Sequence, residues 1–382
     1  MPAANGLGLH RSTRAEIDLD AFRFNTRALR NCLNPGVRLM AVVKADAYGH
    51  GAQPCAEAAL SAGADMLGVG ILAEGIELRH CGIDAPIHVL IGILPDEIDD
   101  LLRYNLSTTL CSEPLAEAIA KKAAAHNRRA DVHIKVDTGM GRLGIDWEEL
   151  PAYLEFLYGL KTLNVASVFT HLSSADEDAD YTQLQLQRMR ETIDLLERKN
   201  LPCPPVHCAN SAGLLNFADS QYNMVRLGIA LYGVVPPAPQ GHAPRHTPEL
   251  KPVMHWKTRV LRINALPAHS YLSYGRRFIT RRDSRIAVLP VGYADGLNRA
   301  LSGNMEVLIG GRRAPQVGTI CMDTCMVDAT DLPEVREGEE VVLFGKQGNE
   351  VITVEELSAR YNTIPYETLC GVGKRVPRVY LP

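Results

Sequence analysis

The most constraining feature of the chain is a recurring texture. Short apolar runs of strand length occur eight times before residue 233, at 39–43, 66–69, 87–91, 107–110, 132–136, 165–170, 205–208 and 224–227. Helical segments separate most of them. The clearest covers 180–199, where Leu186, Met189, Ile193 and Leu196 recur at three and four residues as one apolar stripe on a polar helix. Shorter versions cover 96–103 and 113–126. Eight strands alternating with helices over roughly 230 residues is what a (β/α)8 TIM-type barrel requires. A doubly wound open sheet also uses parallel strands and competes with it. No Gly-x-Gly-x-x-Gly turn follows the first strand, which argues against a dinucleotide-binding version.

Beyond Gly233 the texture changes. A proline-rich stretch over 235–252 reads as an extended linker. Runs at 257–263, 285–291, 305–309 and 340–344 then alternate with Gly, Pro and Asn turns, with one late helix expected over 354–361. The fold class is therefore α/β: an N-terminal barrel over 12–240 and a C-terminal mostly-β domain over 241–382, with residues 1–11 left open to pack with the latter. A length of 382 residues suits two domains. A net charge of −4 leaves no electrostatic footprint for nucleic acid. No run of about 18 apolar residues predicts a membrane span, and the N-terminus lacks the basic start and apolar core of a secretory signal. Nine scattered cysteines, an odd number, fit a reducing cytoplasm better than a disulfide framework. Cys321 and Cys325 have neither a second pair nor a nearby His, so no metal site is expected.

In a barrel of this kind chemistry belongs at the carboxyl ends of the strands. The unusual polar residues fall there: Lys44 after the first run, Lys135 and Arg142 around the fifth, His171 after the sixth, Asn210 and Ser211 after the seventh, and Arg226 in the eighth. A lysine at the end of a buried strand can be desolvated, which favours the free amine that a Schiff base needs. The stretch 206–213 looks like a strand running into a helix start. Asn210 or Ser211 could cap that helix, or Ser211 and nearby amides could hold a phosphate there. Arg226-Leu227-Gly228-Ile229 offers amides beside a glycine that lets a ligand approach closely.

Lys44-Ala45-Asp46-Ala47-Tyr48-Gly49 resembles the lysine motif of alanine racemases. The resemblance extends through KVDTGMGRLG at 135–144, THLS at 170–173, Ala209-Asn210-Ser211, RLGIALYG at 226–233, Ser273-Tyr274-Gly275, VGYADG at 291–296, Cys321-Met322-Asp323 and RVPR at 375–378. It covers nearly the whole chain, in the family's order. It implies a pyridoxal 5′-phosphate (PLP) enzyme in which Lys44 carries the cofactor and acts as one base. Tyr274 would be the second base, on the opposite face of the substrate, assisted by His171. Arg226 would face the pyridine nitrogen. An arginine is always protonated and cannot accept the ring proton, so the ring would be a weak electron sink and favour proton return over side reactions. Tyr48, Ser211, Gly228, Ile229 and Tyr366 would hold the phosphate, and Asn210 would be a further cofactor-binding residue. Arg142 and the backbone of Met322 would receive the substrate carboxylate, and Tyr293 and Tyr366 would narrow the entrance. Lys135 would be carbamylated and orient Arg142. The resemblance further implies a homodimer with shared sites, the substrate alanine and a role in supplying D-alanine for peptidoglycan. A racemase of broader specificity, for serine or basic amino acids, would carry the same bases.

Overall fold

The computed structural model describes residues 11–382. Strand β1 (Arg14–Asp18) leads directly into helix α1 (Leu19–Arg30), and the chain changes unit inside that helix, after Asp20. One unit comprises Ala21–Ala47 and Ala52–Lys251. The other comprises the described residues up to Asp20, together with Tyr48–Gly51 and Pro252–Pro382.

The first unit is a parallel barrel. Its strands are β2 (Arg38–Val42), β3 (Met66–Val69), β4 (Ile87–Val89), β5 (Ser107–Leu110), β6 (Ala130–Asp137), β8 (Leu163–Phe169), β9 (Val206–His207) and β10 (Met224–Leu227); the two-residue β7 (Ile145–Asp146) pairs with β6. They follow the order β10-β2-β3-β4-β5-β6-β8-β9. Backbone bonds from Asn223 N–H to Val206 O (3.0 Å) and from Arg226 N–H to Ala209 O (2.9 Å) bridge the remaining seam. All eight runs expected from sequence are strands. After β2 the chain makes one turn, α2 (Lys44–Tyr48), then α3 (Ala52–Ser61). The outer helices that follow are α4 (Leu72–His80), α5 (Ile98–Arg103), α6 (Glu113–Ala125), α7 (Leu150–Gly159) and α8 (Ala179–Arg198). In α8 the side chains of Leu186, Met189 and Leu196 are buried, as the stripe predicts, and Asp178 caps the helix by accepting from Tyr181 N–H at 2.9 Å.

The interior of the barrel is unusual. Met40, Met66 and Met224 form one apolar cluster with Leu90. Beside it lie His88, His133, His207 and Arg226, all buried, with Phe169 stacked on His207 at 4.8 Å between ring centroids. Barrel cores are commonly filled by branched aliphatic side chains.

The second unit is built on a ten-stranded sheet. Its strands are β1, β11 (Met254–Arg259), β12 (Arg262–Leu266), β15 (Ser284–Leu289), β16 (Glu306–Ile309), β17 (Arg312–Val317), β18 (Cys325–Asp328), β19 (Glu340–Gln347), β20 (Glu350–Ile352) and β21 (Arg378–Leu381); β13 (Tyr271–Leu272) and β14 (Phe278–Ile279) form a separate hairpin. Two helices, α10 (Val354–Arg360) and α11 (Pro365–Gly371), complete it. The run at 257–263 is two strands rather than one. Val260 N–H donates to Glu339 O while Leu261 N–H donates to Val288 O, so the chain changes pairing partner there.

The domain boundaries also differ from 12–240 and 241–382. β1 pairs antiparallel with β11 and parallel with β21, which places it in the β unit. The barrel unit runs on to Lys251 because Asn25 takes both backbone groups of that residue: Lys251 N–H donates to Asn25 Oδ1 (2.7 Å) and Asn25 Nδ2 donates to Lys251 O (2.8 Å). Of residues 1–11, Arg11 pairs with Asp295 in the β unit at 2.7 Å, and the others lie outside the described residues. Among the described residues, no helix is long and apolar enough to cross a membrane.

Candidate active site

At the carboxyl end of β2, Lys44 is half-buried. The four residues after it, Ala45, Asp46, Ala47 and Tyr48, all have φ between 52° and 53°, so α2 is wound left-handed. For L-residues this costs about 1–2 kcal/mol each. The turn is held from outside. Glu74, in the first turn of α4, accepts from Ala45 N–H and Gly70 N–H at 2.7 Å each and from Ile71 N–H at 3.3 Å. Asp46 Oδ1 accepts from Ala52 N–H at 2.7 Å. Strain of this kind persists where the surrounding structure over-determines it.

Arg226 is buried at the end of β10. It donates to Thr170 O (2.6 Å), His207 Nδ1 (2.8 Å), Cys208 O (2.9 Å), His207 O (3.0 Å) and, more weakly, His171 Nδ1 (3.4 Å). Every one of these acceptors is neutral. Burial lowers the guanidinium pKa to about 10, still a cation at neutral pH. His171 is pushed well below its ordinary pKa by burial and by the charges of Arg226, Lys135, Arg142 and Lys44. It is therefore neutral, and because Nδ1 accepts from Arg226, Nε2 carries its proton.

Lys135 is buried over the ring of Phe169, 5.7 Å from its centroid. Burial and the neighbouring Arg142 and Arg226 lower its pKa to about 8. Arg142 itself is exposed on the loop after β6. Asp137 shapes that loop by accepting from Gly139, Met140 and Gly141 N–H at 2.8, 2.8 and 3.1 Å.

Ser211 begins the short helix α9 (Ser211–Asn216), and its Oγ accepts from Gly228 N–H (3.1 Å) and Ala230 N–H (3.4 Å). The two segments flagged for a phosphate thus meet. Asn210 behaves otherwise. Its Oδ1 caps α9 by accepting from Gly213 N–H at 2.8 Å, and its Nδ2 donates to Leu172 O at 3.3 Å. Both ends of the side chain thus also serve the fold.

In the β unit, the rings of Tyr48 and Tyr366 lie 6.0 Å apart, and Pro365 occupies the first turn of α11, where proline is favoured. Tyr274, Met322 and Tyr293 are exposed by 72%, 53% and 42%. Thr319 Oγ1 donates to Tyr274 O (3.0 Å) and Ser273 Oγ donates to Thr319 O (2.7 Å). Tyr293 N–H donates to Cys321 O and Ala294 N–H to Met322 O, both at 3.0 Å. Arg375 donates to Asp323 at 2.8 Å, beside Met322.

Sequence reasoning missed Glu74, Asp137 and the interior histidines. A Glu at the third position of a helix and an Asp before Thr-Gly-Met-Gly were the available signals for the first two.

Residues 17–236 match the alanine racemase N-terminal domain family and residues 253–380 match the C-terminal one. The chain belongs to the alanine racemase family. It is 46% identical over 371 residues to an alanine racemase of Symbiobacterium thermophilum, covering 97% of each chain. It is 42% identical over 371 residues to one of Halothermothrix orenii, again covering 97% of each. Among solved structures, alanine racemase from E. faecalis superimposes with a TM-score of 0.92 at 37% identity, covering 98% of this chain and 99% of that one. The Bacillus anthracis alanine racemase with bound L-Ala-P gives 0.89 at 35% identity, covering 98% and 96%.

The family is PLP-dependent, and the residues present fit that cofactor. They offer a half-buried amine at a strand end, a buried cation with no carboxylate beside it among the described residues for a ring nitrogen, and a hydroxyl with amides on adjacent strands for a phosphate.

Proposed function

We propose that this protein interconverts L- and D-alanine by a two-base mechanism, supplying D-alanine for peptidoglycan in the cytoplasm. The observation that carries the reading is Arg226: a buried guanidinium with only neutral acceptors among the described residues, at the same barrel mouth as Lys44. Bound PLP supplies an electron sink that acidifies the α-carbon of a linked amino acid. Lys44 holds the cofactor and moves a proton on one face. Tyr274 moves a proton on the other. Neutral His171, with its proton on Nε2, assists Tyr274 in that role. Arg226 faces the pyridine nitrogen and offers it no acceptor. Tyr48, Ser211, Gly228, Ile229 and Tyr366 hold the phosphate. Arg142 and the Met322 amide receive the carboxylate, and Tyr293 with Tyr366 narrows the approach. A neutral amine is the form that adds carbon dioxide, so the lowered pKa of Lys135 supports carbamylation there, giving an anion that orients Arg142.

The exposed Tyr274, Tyr293 and Met322 support a homodimer in which the β unit of one copy serves the lysine of the other. A mixed dimer of Lys44→Ala and Tyr274→Ala chains then regains one intact site; no recovery on mixing refutes sharing. The primary test follows Cα deuterium and chirality for a panel of L-amino acids in D₂O. Alanine gaining deuterium together with the D-form supports the reading. Faster inversion of serine or a basic amino acid overturns the substrate assignment, and exchange without inversion overturns the second base.

A further inference from the structure

Behind Arg226 the polar interior of the barrel is wired in one direction. Arg226 is a donor only, so His207 Nδ1, at 2.8 Å from its Nη1, must present a lone pair. His207 is buried and held well below its ordinary pKa, hence neutral, and its proton sits on Nε2. That nitrogen is 2.7 Å from Ser167 Oγ. The hydroxyl, having accepted there, turns its own hydrogen to His133 Nδ1 at 2.6 Å. His133, with a pKa lowered to about 3 by burial, is also neutral and accepts. His88 packs its ring 4.0 Å from that of His133, and its own Nε2 lies 3.1 Å from Thr109 Oγ1. No step proposed above uses Ser167 or His133.

We propose that Ser167 and His133 are positioning residues that lock the tautomer of His207 and through it the orientation of Arg226. With Ser167 Oγ accepting from Nε2–H and donating to His133 Nδ1, His207 keeps its Nδ1 lone pair toward Arg226, the one sense of the chain that a donor-only guanidinium allows. Without the lock His207 can carry its proton on Nδ1, where it would oppose an Arg226 N–H directly, and the guanidinium would turn away. Each strand contributes one part: His133 on β6, Ser167 on β8, His207 on β9 and Arg226 on β10. The consequence for the reaction rests on the reading that Arg226 faces the PLP ring nitrogen. The lock itself does not.

The test therefore has two arms. In the first, long-range 1H–15N spectra of ¹⁵N-histidine-labelled protein report the tautomers at neutral pH, with His207→Gln and His133→Gln used for assignment. His207 and His133 should both be Nε2–H in the parent enzyme. Ser167→Ala should shift His207 toward a mixture, and Ser167→Thr, which keeps the hydroxyl, should restore the parent spectrum. A parent His207 protonated on Nδ1, or an unchanged tautomer in Ser167→Ala, overturns the lock. The parent spectrum decides the point even where Ser167→Ala fails to fold. In the second arm, PLP-loaded Ser167→Ala should lose about tenfold or more in kcat with a smaller change in KM. It should also divert more turnovers into the pyridoxamine form of the cofactor, and Ser167→Thr should reverse both effects. A tautomer change with parental kcat and partitioning would keep the lock and refute the placement of Arg226 against the ring.

Discussion

Glu74 should be worth more to this enzyme than its half-exposed position suggests. Its carboxylate accepts from Ala45, Gly70 and Ile71 N–H. Ala45 and Ile71 are exposed, so water replaces the carboxylate there at a cost near 0.5–1 kcal/mol each. Gly70 is buried, and leaving its N–H without an acceptor costs about 1–3 kcal/mol. A negative charge in the first turn of α4 adds about 0.3–1 kcal/mol. Glu74→Ala should therefore destabilise the barrel by ~4 kcal/mol, or roughly 8–16 °C in Tm for a unit of this size. Glu74→Gln keeps one acceptor oxygen and should lose about half as much. The two effects separate in a second measurement. If Glu74 restrains the left-handed turn, Ala45→Gly should recover about 1–2 kcal/mol in the Glu74→Ala background by removing the Cβ penalty at φ 53°. Scanning calorimetry and PLP titration of the four proteins supply the data, with PLP affinity falling more steeply than Tm because Lys44 adjoins the turn. A Glu74→Ala protein melting within a degree of the parent, or no recovery from Ala45→Gly, would refute this account.

Lys135 has a folded pKa of about 8 against an ordinary value of 10.5, so the unfolded chain binds more protons between those values. Stability should rise with pH across that window in carbonate-free buffer, by about 3 kcal/mol in all, and Lys135→Met should abolish the slope; equal slopes in both proteins count against it. His88, His133, His171 and His207 are all depressed by burial, so they stay neutral in the fold while the unfolded chain protonates near pH 6.5. Stability should fall below that pH, by up to about 1.4 kcal/mol per pH unit for each histidine, and a denaturation midpoint that is flat from pH 7 to 5.5 would contradict it. A Cβ at Gly292 would overlap the carbonyl oxygens of Cys321 and Met322, so Gly292→Ala must displace the Met322 backbone. It should raise KM for alanine about tenfold or more with kcat less affected; an unchanged KM would remove Met322 from the carboxylate site.

What the sequence made readable follows from which physics acts locally. Barrel strands buried on both faces read as apolar runs, and α8 reads as a stripe, because each pattern is set by residues two to four apart. The left-handed turn after Lys44 gave no such signal. Its four residues include no glycine, and the conformation is imposed by Glu74, almost thirty positions away, so local propensity pointed only to a turn. The double role of 257–263 was hidden for a similar reason: a change of pairing partner from Glu339 to Val288 leaves no mark in the run itself. The capping role of Asn210 became visible only once Gly213 N–H and Leu172 O were seen beside its amide.

The polar barrel interior is a different case, because its signal was present. Along β6 the sequence reads Val132-His133-Ile134-Lys135-Val136, and all five are buried. In a barrel strand the outward face is covered by helices, and side chains alternate between it and the lumen. Two polar residues two apart in a buried strand must share a face, and the lumen is the one that can satisfy them. The same step joins Ser167 to Phe169 on β8, and His207 and Arg226 on β9 and β10 bring their side chains to this set. Such a core gives up apolar burial that a branched aliphatic filling would provide. Its compensation lies in the buried cation, since Arg226 without an acid partner needs neutral acceptors that hold their lone pairs toward it. Backbone carbonyls do this without help. An imidazole does so only while its tautomer presents a lone pair, and the proposed lock would tie the orientation of Arg226 to residues deep within the barrel.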